Sequence, residues 1–269
     1  MLTRILSGIV LIPIVLWIIL GGNPQIFQLF VLIVCLLGAW EWSNFMNLTS
    51  NYRRFIYLVL ILAGLFFAEF IPSVYILWAG AIWWMYAIGQ LIRYHKHPNP
   101  TIHPFWMGIL GFIVIIPTWA GLTALRINGE HGAGWVLLYL VMLWSTDSGA
   151  YFTGKFLGKH KLAPNLSPNK TIEGAIGGLV TLLIVALIGI FILHIPSSQW
   201  LIYFIGAILL NVFSVIGDLY ESMLKRKRGI KDSGNVIPGH GGILDRIDGL
   251  LASIPVFALV VILAGVGCK

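Results

Sequence analysis

Nine apolar runs, each long enough to cross a bilayer, take up most of the chain. They cover approximately residues 5–22, 26–46, 55–72, 74–92, 105–125, 135–154, 172–194, 200–219 and 249–267. A helix needs about 20 mainly apolar residues to span the hydrocarbon core. None of the runs alternates strictly between apolar and polar residues, as the strands of a membrane β-barrel do. The runs therefore predict an all-α polytopic membrane protein with nine transmembrane helices.

The composition supports a single membrane domain. Hydrophobic residues make up 58% of the chain and charged residues only 10%, whereas a soluble domain carries about 25% charged residues. We treat residues 1–269 as one integral membrane domain. Within it we distinguish N-terminal helices over 1–134 from a catalytic part over 135–269. The catalytic part carries polar loops at 155–171 and 220–248.

The placement of Lys and Arg predicts the orientation. If all nine runs cross the membrane, fifteen of the 17 basic residues fall on one side, and only Arg126 and Lys269 fall on the other. Loops rich in Lys and Arg remain in the cytoplasm. We therefore expect a cytoplasmic N-terminus, cytoplasmic charged loops and an outside C-terminus. The net charge of +7 is explained by this asymmetry, and we expect no nucleic-acid partner.

Charged residues concentrate in one segment, because eleven of the 27 lie between Asp218 and Asp248. Asp218, Ser222 and Lys225 recur at spacings of four and three. These spacings place them on one face of a helix that continues past the membrane. The segment therefore combines acidic and basic groups beside the membrane surface.

The acids of this segment predict a metal site. Asp245 and Asp248 are three residues apart at the start of the final helix, so we expect them to project together while Arg246 points elsewhere. With Asp218, they form a plausible cradle for a hard cation such as Mg²⁺, which prefers carboxylate, water and phosphate oxygens.

The basic residues and glycines predict phosphate binding. Arg side chains bind phosphate in bidentate fashion, and glycines allow backbone N–H groups to approach phosphate oxygens. The chain has no GxxxxGK[ST] P-loop, so we expect phosphate to be bound by a different motif. The candidates are Lys225, Arg226, Lys231, Arg246, Gly239, Gly241 and Gly242.

Three residues of this segment have more than one interpretation. His240 could be a metal ligand, a base, or a hydrogen-bond donor to phosphate or backbone. For Lys227 and Arg228 we favour a role in topology and in contacts with anionic lipid headgroups.

Two further candidates precede this segment. Asp147 lies inside a predicted span, where an ionisable residue is costly and usually faces protein or water. The alternative is a carboxylate that bonds Ser145 or Ser148. Lys170 is a candidate phosphate contact, and the alternative is helix-start chemistry, with Glu173 against the helix dipole.

The remaining acids are interpreted as structural. Glu41 and Glu69 lie near predicted helix ends, from which a carboxylate can reach the interface, and Glu130 lies in a predicted outer loop.

The charged segment resembles the signature of the phosphatidate cytidylyltransferases, also called CDP-diacylglycerol synthases. The matching pattern is Ser222-x-x-Lys225-Arg226, four residues, Lys231-Asp232, then Pro238-Gly239-His240-Gly241-Gly242-x-x-Asp245-Arg246-x-Asp248. The stretches Asp147-Ser148-Gly149-Ala150-Tyr151, Ser167-Pro168-Asn169-Lys170-Thr171-x-Glu173-Gly174 and Gly217-Asp218 are similar to the family as well. The likeness extends over roughly residues 140–250.

The resemblance implies transfer of CMP from CTP to phosphatidic acid, which gives CDP-diacylglycerol and pyrophosphate. It implies Mg²⁺, with a second cation such as K⁺, a homodimer, and a bacterial cytoplasmic membrane with the site facing the cytoplasm. By position, the metal-binding acids would be Asp218, Asp245 and Asp248. The phosphate or nucleotide contacts would be Lys170, Ser222, Lys225, Arg226, Lys231 and Arg246. Asp232 would order the loop or join the metal shell.

Three other functions stay open at this stage. One is a CTP-dependent transferase that acts on another lipid phosphate, such as a polyprenol. Another is a nucleotide or anion transporter that uses the charged cluster as a vestibule. The third is a non-catalytic lipid-binding scaffold.

Overall fold

The computed structural model describes residues 13–96, 102–129, 131–234 and 241–266. Helix α1 is described over residues 13–20. The other helices are α2 Pro24–Phe45, α3 Asn51–Ala68, α4 Ser73–Lys96, α5 Pro104–Arg126, α6 Gly132–Leu157, α7 Ile172–Ile192, α8 Trp200–Arg228 and α9 Leu244–Leu263. A 3-10 turn, Ser197–Gln199, precedes α8. The strands β1, Lys161–Ala163, and β2, Ser167–Thr171, lie between α6 and α7.

The predicted fold class is confirmed. Seven helices are long and apolar enough to cross a membrane within the described ranges: α2, α3, α4, α5, α7, α8 and α9. The helix α6 is not among them, since its second half carries Ser145, Thr146 and Asp147. Each predicted run coincides with a helix or with the described part of one. The number nine and the sides of the two termini stay predictions.

The helices α5 and α9 form the centre of the bundle. About 70% of each apolar span is buried (72% and 67%), against 22% for α3. Helix α9 packs against α4, α5 and α8, and α6 packs against α7. Large apolar side chains are exposed on the outer helices, for example Phe66, Ile82 and Phe191. This outer surface has the character expected of one that faces lipid.

A proline inside α9 leaves one backbone carbonyl free to accept hydrogen bonds from two other helices. Pro255 has no N–H group, so the carbonyl of Leu251 lacks its usual helical donor. Trp84 of α4 donates its indole N–H to that carbonyl at 3.1 Å, and the Thr118 hydroxyl of α5 donates to it at 3.3 Å. A buried backbone oxygen is satisfied in this way, as an apolar environment requires.

Glycines set the close approach of the helices near the charged segment. A Cβ at Gly217 of α8 would overlap the carbonyl oxygen of Asp248 in α9. In the same way, a Cβ at Gly149 of α6 would overlap Thr181 of α7. Small residues at such contacts allow helix backbones to pack closely. The acids on α8 and α9 are therefore held near one another by backbone contact.

The loop predicted at 155–171 contains a structure that the sequence did not predict. Strands β1 and β2 pair antiparallel, with Lys161 opposite Thr171 and Ala163 opposite Ser167. Strands this short carry too few alternating positions to be distinguished from a loop by periodicity. The segment predicted as a loop at 220–248 includes the last turns of α8 and the first of α9. The division of the chain at 134/135 stays a prediction.

Candidate active site

A cleft of about 610 Å³ lies among α6, β2, α7, α8 and α9. This volume is within the range of small-molecule sites, about 300–1,000 Å³. Six of the predicted site residues line it: Asp147, Lys170, Asp218, Asp245, Arg246 and Asp248. They come from four separate elements, so the fold brings together residues that lie up to about a hundred positions apart.

The hairpin supplies the lysine of the cleft. Lys170 Nζ forms an ion pair with Asp218 Oδ2, which joins β2 to α8. The hydroxyl of Ser222, one turn further along α8, donates to the other oxygen of Asp218 at 3.4 Å. Both members of the ion pair are partly exposed, and such pairs contribute only about 0–1 kcal/mol. An incoming phosphate can therefore take over the ammonium group at small cost.

Asp245 has partners on both of its carboxylate oxygens. Oδ1 accepts from Lys225 Nζ at 2.6 Å, while Oδ2 accepts from the backbone N–H groups of Ser233 and Gly242, each at 2.9 Å. The Ser233 hydroxyl also donates to Oδ2 at 2.9 Å. Hydrogen bonds to a charged group contribute about 1.5–3 kcal/mol each. These contacts fasten the loop after α8 to the start of α9.

Lys225 lies between two acids. Its ammonium is 2.6 Å from Asp245 and 3.3 Å from Glu221 Oε2, one turn earlier on α8. The lysine side chain is only 15% exposed, so the pairing satisfies a largely buried charge. Lys225 thus links α8 to α9 beside the cleft, and its predicted phosphate contact stays a prediction.

Asp248 and Arg246 complete the wall of the cleft. Asp248 is half-buried, accepts from the N–H of Gly249 at 2.7 Å, and interacts electrostatically with Asp218 and Lys170. Arg246 lines the same cleft as Asp245 and Asp248. The expectation that its side chain points away from theirs stays a prediction.

The acids of the cleft fit a metal that is completed by substrate. Within the described ranges, no three His, Cys, Asp or Glu residues lie together as a protein-only metal site. Asp218 and Asp248 nevertheless face one cleft, and Mg²⁺ commonly takes one or two carboxylates, with water and phosphate oxygens as its other ligands. The contacts of Asp245 are those of a loop anchor, and its role as a metal ligand stays a prediction.

The other predicted substrate contacts that the structure describes do not line the cleft. Arg226 and Lys231 are exposed, and Asp232 lines a separate pocket. Gly241 has φ 80°, a conformation that favours glycine, and Gly242 donates to Asp245 as described above. Gly239 and His240 lie outside the described residues.

Comparison with known proteins identifies the family. Residues 2–264 match the model of the cytidylyltransferase family. The chain is 37% identical over 271 residues to the phosphatidate cytidylyltransferase of Pseudomonas aeruginosa, and the aligned region covers 98% of each chain. It is 39% identical over 281 residues to that of Haemophilus influenzae, covering 95% of this chain and 96% of the relative. The chain belongs to the cytidylyltransferase family. It is accordingly a nucleotidyltransferase.

In this cytidylyltransferase, the N-terminal helices also contribute to the site. Glu41 of α2 is fully buried, and its Oε2 accepts from the N–H of Leu244 at 2.9 Å, at the first residue of α9. The Ser233 hydroxyl lies 3.2 Å from the same oxygen. Glu41 was interpreted as structural, near a helix end. Its sequence signal was present, since an acid between Trp40 and Trp42 in an apolar run invites the argument applied to Asp147.

Glu221 is a second residue that the sequence reasoning did not assign to the site. It is buried, forms the ion pair with Lys225, and interacts electrostatically with Asp248. The signal that could have identified it is its position four residues before Lys225, which places the two side chains on one face of α8.

The structure places Asp147 in the cleft and gives Glu173 partners outside α7. The Ser145 hydroxyl donates to the carbonyl of Met142 at 2.7 Å and not to Asp147, which lines the cleft. Glu173 accepts from the backbone N–H groups of Lys159 and His160, at 3.1 and 3.2 Å. Glu173 lies in the first turn of α7 and therefore also holds the chain that leads into β1.

Proposed function

We propose that this chain transfers CMP from CTP to phosphatidic acid and releases pyrophosphate. The observation that carries the proposal is the convergence of Lys170, Arg246, Asp218 and Asp248 on one cleft among apolar helices. Relatives of nearly the same length carry the name phosphatidate cytidylyltransferase, which supports this choice of substrates. A lipid acceptor suits a membrane protein, since its acyl chains remain in the bilayer.

The chemistry requires two polyanions to meet. A phosphate oxygen of phosphatidic acid attacks the α-phosphorus of CTP, and the bond from that phosphorus to the β-phosphate oxygen breaks. The products are CDP-diacylglycerol and pyrophosphate. The nucleophile is already an anion, so catalysis depends on positioning and on charge neutralisation more than on a strong base.

The residues of the cleft match these needs. Lys170 and Arg246 would neutralise phosphate oxygens, Arg246 with its bidentate fork. Asp218 and Asp248 would hold Mg²⁺, which stabilises charge on the phosphates when bound. The proposal includes five further substrate contacts: Asp147, Ser222, Lys225, Arg226 and Lys231. It also includes a second cation such as K⁺.

We infer a bacterial cytoplasmic membrane location, with the cleft facing the cytoplasm. The basic residues predicted to be cytoplasmic include Lys170 and Arg246 of the cleft, and the relatives are bacterial proteins. We also propose that the protein forms a homodimer, and this proposal rests on the family resemblance.

The test is an acceptor competition. The purified protein is given α-labelled CTP, Mg²⁺ and equal amounts of phosphatidic acid and a polyprenyl phosphate. We expect label in CDP-diacylglycerol alone. Label in the polyprenyl product would assign another acceptor. Uptake of labelled nucleotide into liposomes without any lipid product would instead support a transporter.

A further inference from the structure

A second pocket, of about 330 Å³, lies where α2 and α8 end and α3 begins. Its polar wall includes Asn44, Asn47, Arg54, Arg228, Asp232 and Ser233. It shares no lining residue with the cleft. The family signature includes only Asp232 of these six, so the reaction proposed above does not account for this pocket.

Both arginines are held by residues of the last turns of α2 and of the chain that follows it. Arg54 donates from Nε to the carbonyl of Leu48 at 2.8 Å, and its guanidinium lies 5.5 Å from the ring centre of Trp40. Arg228 donates from Nε to the carbonyl of Asn44 at 3.1 Å and from Nη2 to Asn47 Oδ1 at 2.7 Å. These contacts orient the two guanidinium groups before any ligand arrives, which reduces the entropy lost on binding.

The charge of the two arginines is not balanced by an ion pair in the part of the chain that the structure describes. The ion pairs found there involve Lys170, Lys225 and His160, and none involves Arg54 or Arg228. Asp232 also lines the pocket, and among the described residues it forms no ion pair. Two guanidinium groups and one carboxylate leave the pocket wall with a net positive charge, which attracts an anion.

We propose that this pocket binds a phosphate group. The planar fork of arginine matches phosphate oxygens in bidentate geometry, and Asn47, whose Oδ1 accepts from Arg228, adds an amide to the same wall. The phosphate can come from an anionic lipid headgroup or from solution. Tyr52, two residues before Arg54, is exposed and is of a residue type enriched at membrane interfaces, so a headgroup can reach the pocket.

The test compares pocket arginines with exposed arginines outside the pocket. Arg54→Gln and Arg228→Gln each remove one pocket cation, whereas Arg53→Gln and Arg93→Gln each remove an exposed cation that does not line the pocket. Each protein is placed in phosphatidylcholine nanodiscs. One arm adds phosphatidylglycerol to the disc, and the other adds inorganic phosphate to the buffer at constant ionic strength. Melting temperature and lipid retention by native mass spectrometry are measured.

A ligand that binds the folded state raises the melting temperature of the wild type. We expect this gain in at least one arm, and an apparent affinity at least about tenfold weaker in both pocket variants, since each loses a charge-assisted contact. Arg53→Gln and Arg93→Gln should retain the gain in melting temperature and the wild-type affinity. A gain confined to one arm identifies lipid or soluble phosphate as the source.

Arg228 also holds Asn44 and Asn47, so Arg228→Gln can lose stability for a separate reason. Retention of phosphatidylglycerol in the mass spectrum measures binding independently of stability, and Arg54→Lys should recover only part of it. The proposal is overturned if neither arm stabilises the wild type, if the pocket variants keep the full gain, or if all four variants lose it equally.

Discussion

At the scale of single residues, Glu41 and Asp245 show how the loop between α8 and α9 is held. Asp245 accepts three hydrogen bonds from Ser233 and Gly242, and Glu41 accepts from Leu244 beside the Ser233 hydroxyl. One carboxylate comes from α2 and the other from α9. The loop is therefore fixed from two helices that are distant in sequence.

Glu41→Gln should lower kcat by about 10- to 100-fold with little change in the KM for CTP. The reason is that a neutral amide is a weaker acceptor, and bonds to a charged group contribute about 1.5–3 kcal/mol. Ser233→Ala should have a similar effect, and the double variant should lose less than the sum of the two single losses, because both residues hold the same loop. Glu69→Gln, at an exposed position, is the matched control. Additive losses in the double variant would contradict a shared role.

The metal assignment predicts a division among the three acids. Asp218→Asn and Asp248→Asn should raise the Mg²⁺ concentration for half-maximal rate by at least about tenfold, since each removes a carboxylate from the cleft. Asp245→Asn should lower the maximal rate at every Mg²⁺ concentration, because it releases Lys225 and the loop. Rate measured against Mg²⁺ concentration distinguishes the two patterns. A shift in Mg²⁺ dependence for Asp245→Asn would instead support the sequence-based prediction that Asp245 is a metal ligand.

At the scale of elements, the crossing of α8 and α9 sets the site. Gly217→Ala places a methyl group against the Asp248 carbonyl oxygen, so the helices must separate. We expect a lower melting temperature and loss of most activity. Gly89→Ala in α4 is the control, since its Cβ meets nothing within 4 Å, and alanine favours a helix over glycine by about 1 kcal/mol. Equal behaviour of the two variants in a thermal melt would contradict this role.

The elements also show what the sequence could predict. Apolar length and spacing predicted the helices and the extension of α8 past its apolar run, because these depend on local periodicity. The spacing did not reveal that Lys225 turns from Asp218 towards Asp245, since that depends on how α8 meets α9. Spacing also could not predict that Glu41 contacts a loop some 190 residues further along the chain. Contacts between distant segments depend on packing, which no local pattern records.

At the scale of the whole molecule, the charge asymmetry predicts sidedness. The native Cys268 is predicted to lie outside, and Lys231 in the cytoplasm. Whole cells treated with a membrane-impermeant maleimide should label Cys268. A Lys231→Cys variant that also carries Cys268→Ser should be labelled only after the membrane is opened. Cys35 is buried and should stay unlabelled in both. The reverse pattern would contradict the orientation.

The central claim is that the cleft among α6, β2, α7, α8 and α9 transfers CMP to a membrane lipid. The most direct measurement is mass spectrometry of the lipids after the purified protein in nanodiscs receives CTP, phosphatidic acid and Mg²⁺, with pyrophosphate measured in parallel. The account predicts CDP-diacylglycerol and pyrophosphate in equal amounts, and neither product at low Mg²⁺ from a folded Asp248→Asn variant. A folded wild type that forms no CDP-lipid at any metal concentration, or an Asp248→Asn variant that forms it at the wild-type rate at low Mg²⁺, would contradict the claim.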